Sequence, residues 1–416
     1  MNLNSSKAKD IKIQPVKKSN EFMGIIIKPN EVHFHVPQVF RWNKESSKKE
    51  LLLFLNSLNI ANTKEARAIE GSDHLVGDFW PIDSYLWLIR DYIENGFYYN
   101  REIVHSRDRN GKIDWKRTLK TAPIYSDGNL IYDKLITKKV VASNDIITQI
   151  HKLCLKQSIE RIGWVFNFNI HIQTEKMFHQ EEMIYTVKKE ITSTFDDIKR
   201  LRFKHMLKIL EGMKDHNEES DENTFGITNY YYVFEQMIDL FFKGIDSNKK
   251  KKYNPSGYWQ LNQSKKELSS NLRPDTIYLK ENKTYIIDAK MYQFGATRQI
   301  KDLPSTSSMQ KQITYGDFVH HNLDKESGIR NAFILPYDKE SKLFKDDDQF
   351  EYLEDRNLVY IGKAFVDYRN DEQKQPYDDI FTFLIDFNYL LENYKDASSD
   401  YITTLCNEIE EKLNTT

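Results

Sequence analysis

The chain has 416 residues, 60 lysines and arginines against 62 acids, a formal net charge of −2, and 39% hydrophobic residues. That length predicts two or three domains, each able to bury its own core. The 24 tyrosines and 24 phenylalanines exclude a wholly disordered chain, and the longest apolar runs, at 51–55 and 85–89, fall far short of the roughly 18 residues of a membrane span.

Residues 1–20 are polar and lysine-bearing and read as a flexible tail with no secretory core, so a cytoplasmic protein is expected. Two cysteines, Cys154 and Cys406, exclude a disulfide framework and cysteine-rich zinc patterns. Residues 24–37 carry two β-rich runs around Pro29-Asn30 and predict a hairpin. Apolar residues at helical spacing predict helices over 48–67 and 83–93.

Asn110-Gly111 between Ile103-Val104 and Ile113 predicts a tight hairpin, because Asn-Gly tolerates the positive φ such turns require. Arg107, Arg109, Lys112, Lys116, Arg117 and Lys120 surround it, either contacting phosphates or keeping it soluble. Helices are expected over 143–167 and 180–213, and the acid-rich run after them marks a boundary. Residues 21–213 are therefore expected to form an N-terminal α+β domain for partner or DNA contacts, and 225–416 a second domain.

Beyond the boundary the pattern predicts a helix over 230–242, then a stretch to residue 266 with seven lysines and one acid, Asp246. Strands are expected at 276–280, 284–290, 331–335 and 358–367, a helix at 307–323, and closing helices at 380–394 and 399–413. Such an order describes an α/β core with a mixed sheet.

The chemistry concentrates between Arg273-Pro274-Asp275 and Asp288-Ala289-Lys290. Side chains alternate along a strand, so Asp288 and Lys290 point the same way. A hairpin turning about 281–283 sets Asp275 opposite position 289, within reach of both. Two converging carboxylates repel unless a cation neutralises them, and Mg²⁺, which binds through one or two carboxylates, is the expected ion. Lys290 would then hold or deprotonate an attacking water and offset developing negative charge on a phosphodiester. A plain surface salt-bridge ladder is the alternative, but Tyr285, Ile286 and Ile287 make both faces of that strand apolar, which argues for buried charges with a purpose.

Other chemistries lack a frame. His33, His35, His171, His320 and His321 have no His-Glu-x-x-His or partnered cysteine, and neither a Gly-x-Ser-x-Gly elbow nor a Gly-x-x-x-x-Gly-Lys-Ser/Thr nucleotide loop occurs.

Pro274-Asp275 followed by Asp288-x-Lys290 resembles the PD-(D/E)xK motif of restriction-endonuclease-like nucleases. The resemblance implies a metal role for Asp275 and Asp288, a catalytic role for Lys290, and a role beside the metal for Glu235, since such proteins commonly carry a glutamate on the first core helix. Gln312 and Tyr315 stand where relatives often have Gln-x-x-x-Tyr, here one residue shorter, which implies DNA contact together with Arg273, Lys250 and Lys251. With Asn110-Gly-Lys-Ile-Asp-Trp-Lys-Arg-Thr-Leu119, the Gly24-Ile-Ile-Ile27 run and Phe333-Ile-Leu-Pro336, the chain looks like the LlaJI restriction endonuclease family, related to the nuclease subunit of McrBC systems.

That resemblance implies a C-terminal PD-(D/E)xK nuclease domain cutting foreign double-stranded DNA with Mg²⁺, alongside a separate McrB-like GTPase. Cutting both strands generally needs two active sites, and hence either two chains, as in a homodimer, or two successive events. The alternatives are a non-cleaving DNA-binding or assembly subunit of the same fold, and a repair nuclease.

Overall fold

The computed structural model describes residues 10–28, 30–42, 48–62, 75–77, 80–107, 111–121, 123–126, 129–132, 134–143, 145–166, 172–174, 179–213, 224–323, 328–345, 349–396 and 399–414. Its architecture is mixed α/β. Two compact units divide the chain, one drawn from 80–219 and the other from 10–79 together with 220–416.

The N-terminal segment supplies strands β1 (Asp10–Val16), β2 (Met23–Ile27) and β3 (Glu31–Pro37), helix α1 (Lys49–Leu58) and strand β4 (Leu75–Gly77). Unit 80–219 contains α2 (Ile82–Asn95), β5 (Asn100–Ser106), β6 (Lys112–Ile113), β7 (Ile124–Ser126), β8 (Asn129–Ile131), β9 (Thr137–Ser143), α3 (Ile146–Ile162), α4 (Gln180–Ser193) and α5 (Asp197–Glu211). The remainder begins with β10 (Thr224–Ile227), α6 (Tyr231–Phe241), β11 (Ser256–Trp259) and β12 (Glu267–Asn271). It continues with β13 (Thr276–Lys280), β14 (Lys283–Ala289), α7 (Thr306–Asn322), β15 (Gly328–Tyr337), β16 (Glu351–Leu353), β17 (Leu358–Ala364), β18 (Ile380–Asp386), α8 (Phe387–Asn393) and α9 (Ser399–Asn414).

One border of this division, at 219–220, falls in the gap between the two expected domains, 21–213 and 225–416, whereas residues 10–79 group with 220–416 rather than with 80–219. β2 and β3 form the predicted hairpin, but β2 also pairs antiparallel with β10, and β10 with β4, in a sheet ordered β1-β3-β2-β10-β4. Gly24 faces Gly226, and a Cβ on Gly24 would lie 2.3 Å from the Phe225 carbonyl oxygen, so the close approach of those strands requires glycine. Residues 10–16 are not a loose tail, since β1 pairs parallel with β3 along its whole length.

In unit 80–219, β5 and β6 both pair with β9 rather than with each other. The expected Asn110-Gly111 hairpin is therefore corrected to a three-stranded arrangement, with Arg109 and Asn110 outside the described residues. Arg107, Lys112, Lys116, Arg117 and Lys120 are exposed. The single helix expected over 180–213 is broken into α4 and α5, where Asp196 caps α5 by accepting from the Ile198 and Lys199 N–H groups. Arg202 of α5 pairs with Asp91 of α2 through two contacts of 2.6 and 2.9 Å, both side chains buried, which satisfies each charge at the helix interface.

His151 on α3 sits next to that pair. Burial, reinforced by the Arg202 guanidinium and opposed by Asp91, lowers its imidazole to about 4. The folded unit holds it neutral, whereas the unfolded chain protonates it near pH 6.5. Its stabilising contribution is full above that pH and is lost progressively as pH falls to about 4, at a cost of about 3 kcal/mol. Urea unfolding should show a weaker acid dependence between pH 6.5 and 4 in His151→Leu than in the wild type; equal slopes would contradict the assignment.

The six-stranded sheet of the other unit runs β13-β14-β15-β18-β17-β16, with β14, β15 and β18 parallel and the outer strands antiparallel. β18 and α8 replace the single helix expected over 380–394. Ile380-Phe-Thr-Phe-Leu-Ile-Asp386 is buried at every position, as suits a strand with both faces covered. Ile277 and Ile286 pack with Tyr253, Tyr315, Val319, Ile329 and Tyr377 beneath the β13–β14 hairpin. Phe294, Ile313, Phe333, Leu335, Tyr337 and Ile380 form a second cluster farther along the sheet. On α9, Glu410 accepts from the Tyr285 hydroxyl and from Arg330 Nε and Nη2, which fixes that helix to β14 and β15. Among the described residues no helix is long and apolar enough to cross a membrane.

Candidate active site

The β13–β14 hairpin pairs Thr276 with Ile287 and Lys280 with Lys283, closing on Glu281-Asn282 with Glu281 at φ 53°. The same register carried back one residue sets Asp275 across from Asp288, not opposite 289 as expected. The turn holds two residues rather than three, and this brings the two acids closer. The Ala289 N–H donates to Asp275 Oδ2 at 2.8 Å, fixing that carboxyl against the end of β14.

Asp288 is fully buried, and neither of its carboxylate oxygens has a well-directed hydrogen-bond donor among the described residues. The Lys290 ammonium contacts its Oδ2 as an ion pair. Burial, Asp288 and Glu235 together drive the Asp275 carboxyl well above the ordinary carboxylate range, against the pull of Lys290. For Lys290 burial works towards the neutral amine, but Asp288, Asp275 and Glu235 outweigh it and hold the ammonium above the ordinary lysine value. The structure thus brings Asp275, Asp288, Lys290 and Glu235 of α6 into one electrostatic centre.

Three carboxylates against one ammonium leave two negative charges in excess when all are ionised. Together with Asp288 Oδ1, which has no donor among the described residues, that excess fits a divalent cation beside Lys290. Among the described residues no three His, Cys, Asp or Glu side chains form a ligand set by themselves. Two carboxylates with water completing the shell are what such a site offers, as Mg²⁺ accepts.

Several expected DNA contacts instead hold the centre in place. Gln312 on α7 is fully buried, and its Nε2 donates to the Ile286 carbonyl at 2.8 Å and to Asn331 Oδ1 at 3.2 Å. The Tyr315 hydroxyl donates to the Arg273 carbonyl at 2.7 Å, and that side chain is likewise buried. Lys250 lies 2.6 Å from Asp239 Oδ2 and donates to the Asp275 carbonyl at 2.7 Å. All three grip backbone beside the two aspartates, and Gln312 and Tyr315 are fully buried, with Gln312 Oε1 lacking a partner among the described residues. Arg273 and Lys251 are exposed, the latter donating to Asn248 Oδ1.

Asn331 escaped the sequence reading. It is fully buried in β15 and donates to the Gln312 and Tyr377 carbonyls at 3.1 and 2.7 Å. Its signal was a lone amide in an otherwise apolar strand, since a buried amide needs partners.

Fold and site together define a mixed-sheet α/β chain with a buried acid–acid–lysine centre at the end of a hairpin. The family model of the LlaJI restriction endonuclease matches residues 22–388, and the chain belongs to that family. No curated protein matches the chain. A refined half-complex from a tetradecameric assembly of Thermococcus gammatolerans McrB AAA+ hexamers with bound McrC contains a similar chain, 15% identical, over 93% of this chain and 82% of that one, with a TM-score of 0.40. The cryo-EM structure of the Thermococcus gammatolerans McrBC complex gives 13% identity over 51% of this chain and 63% of that one, with a TM-score of 0.24. No residue of this chain is assigned from either.

Proposed function

We propose that this chain is an Mg²⁺-dependent endodeoxyribonuclease of a restriction system, with a PD-(D/E)xK core in residues 225–416 that hydrolyses double-stranded DNA. The observation that carries the reading is the meeting of Asp275, Asp288 and Lys290 at one buried point, in a chain of a restriction endonuclease family. Asp275 and Asp288 would hold the ion, and Glu235 adds negative charge to the same centre. Once bound, the ion would polarise the phosphodiester and lower the pKa of an attacking water.

Lys290 works as an ammonium. It would orient the attacking water and offset charge developing on the phosphate. Gln312, Tyr315 and Lys250 keep the two aspartates in register by gripping the backbone on either side of them. Unit 80–219 would serve partner or DNA contacts, a McrB-like GTPase is the partner proposed, and two copies would cut the two strands.

Linear and supercoiled DNA incubated with the chain tests this, with Mg²⁺ or Mn²⁺, with and without a McrB-like GTPase and GTP. Cleavage with the metal and none after chelation by EDTA is expected. Binding without cleavage under every condition would instead favour a non-cleaving assembly subunit.

A further inference from the structure

Among the described residues the ribbon formed by β11 and β12 is bonded to no other strand, and each of residues 256–271 is exposed. An isolated two-stranded hairpin is marginal in water, so something must hold this one. Its base supplies that. Tyr253 is buried in the cluster under the β13–β14 hairpin, Leu272 packs against the same cluster, and the Leu272 N–H donates to the Pro255 carbonyl at 2.8 Å. Both ends are fastened beside the catalytic centre, since Lys250 just before the ribbon grips the Asp275 carbonyl and Tyr315 grips Arg273 just after it.

The ribbon's surface does not suit water alone. Trp259 is 68% exposed, Leu261 71% and Leu268 59%. Lys266 lies over the Tyr258 ring at 3.8 Å, and Lys265 stands next to it at the tip. The tip is preformed, because the Leu261 N–H donates to Ser264 Oγ at 3.0 Å and the Ser264 N–H returns to the Leu261 carbonyl at 2.8 Å. From Lys249 to Arg273 there are seven basic residues and one acid, Glu267. A two-stranded ribbon fits a DNA major groove, and exposed lysines complement phosphates.

We infer that the β11–β12 ribbon is an arm that grips duplex DNA next to the scissile bond, with Lys265 and Lys266 on phosphates and Trp259 against the groove. The inference rests on the nuclease reading of the same site. Lys265 at the tip precedes Asp275 by ten positions, so its backbone lies at most about 34 Å from that of Asp275 along an extended chain, about ten base pairs of duplex. The arm's contacts would therefore set which phosphodiester reaches the aspartates.

The test compares full-length wild type with a Trp259→Ala/Lys265→Ala/Lys266→Ala variant, whose changes lie on exposed positions outside the catalytic centre. Affinity for a labelled duplex is read by fluorescence anisotropy in EDTA over a range of salt, and cleavage is read separately with Mg²⁺. The variant should bind at least about tenfold more weakly, with a log–log salt slope shallower by about 1.8, from two lost phosphate contacts. Equal affinity and slope would overturn the inference, even if both proteins cut. So would a wild type without measurable duplex affinity, or unchanged DNA binding with stimulation by a GTPase lost, which would make the ribbon a protein-binding face. Absence of cleavage in both proteins, with Mg²⁺ or Mn²⁺ and with or without a McrB-like GTPase and GTP, would defeat the nuclease reading, while the affinity difference would still decide the ribbon.

Discussion

Replacing Asp288 by asparagine should lower DNA cleavage by about a thousandfold or more, with a melting temperature within a few degrees of the wild type. The amide keeps the volume of a fully buried side chain but removes the negative charge that sits across from Asp275. Lys290 keeps Asp275 and Glu235 as charge partners, so the fold does not inherit an isolated buried ammonium. Plasmid cleavage in Mg²⁺ and thermal unfolding together check this. Full cleavage by a folded Asp288→Asn protein would remove Asp288 from the chemistry.

Gln312→Ala should cost about 4 kcal/mol of stability and leave duplex affinity unchanged. The substitution opens a cavity under β14 and strips the Ile286 carbonyl and Asn331 Oδ1 of a donor inside the core. Urea unfolding with a duplex-binding titration separates this from a nucleic-acid role. A stability change within about 0.5 kcal/mol together with weakened DNA binding would restore the contact assigned from the motif's spacing.

The meeting of Asp275, Asp288 and Lys290 was legible because it needs only local rules. Strand alternation placed Asp288 with Lys290, and one hairpin brought Asp275 to them. The error of one residue in register came from the turn, where Glu281 takes a positive φ and closes the hairpin in two residues. Glu281 carries no glycine or asparagine signature for that conformation, so its sequence does not announce it.

Burial decided what spacing could not. Gln312 and Tyr315 stand on a helix face that looks available in one dimension, and only the packing of α7 on β14 and β15 reveals that both are buried, with the Gln312 amide and the Tyr315 hydroxyl donating to backbone carbonyls. β18 illustrates the reverse case. A strand covered on both sides reads as an unbroken apolar run, and periodicity cannot separate that from a buried helix. The pairing of β2 with β10 joins residues about 200 positions apart in the chain, which no local pattern records, so local reading places residues 21–79 with the unit that follows them rather than with 220–416.

Metal binding measured directly is the sharpest test of the centre built from Asp275, Asp288, Glu235 and Lys290. Calorimetric titration of Mn²⁺ into the DNA-free full-length chain should give saturable binding. The Asp275→Asn/Asp288→Asn double variant should show none, though it stays folded. Identical binding isotherms for the two proteins would place the ion elsewhere and contradict the account.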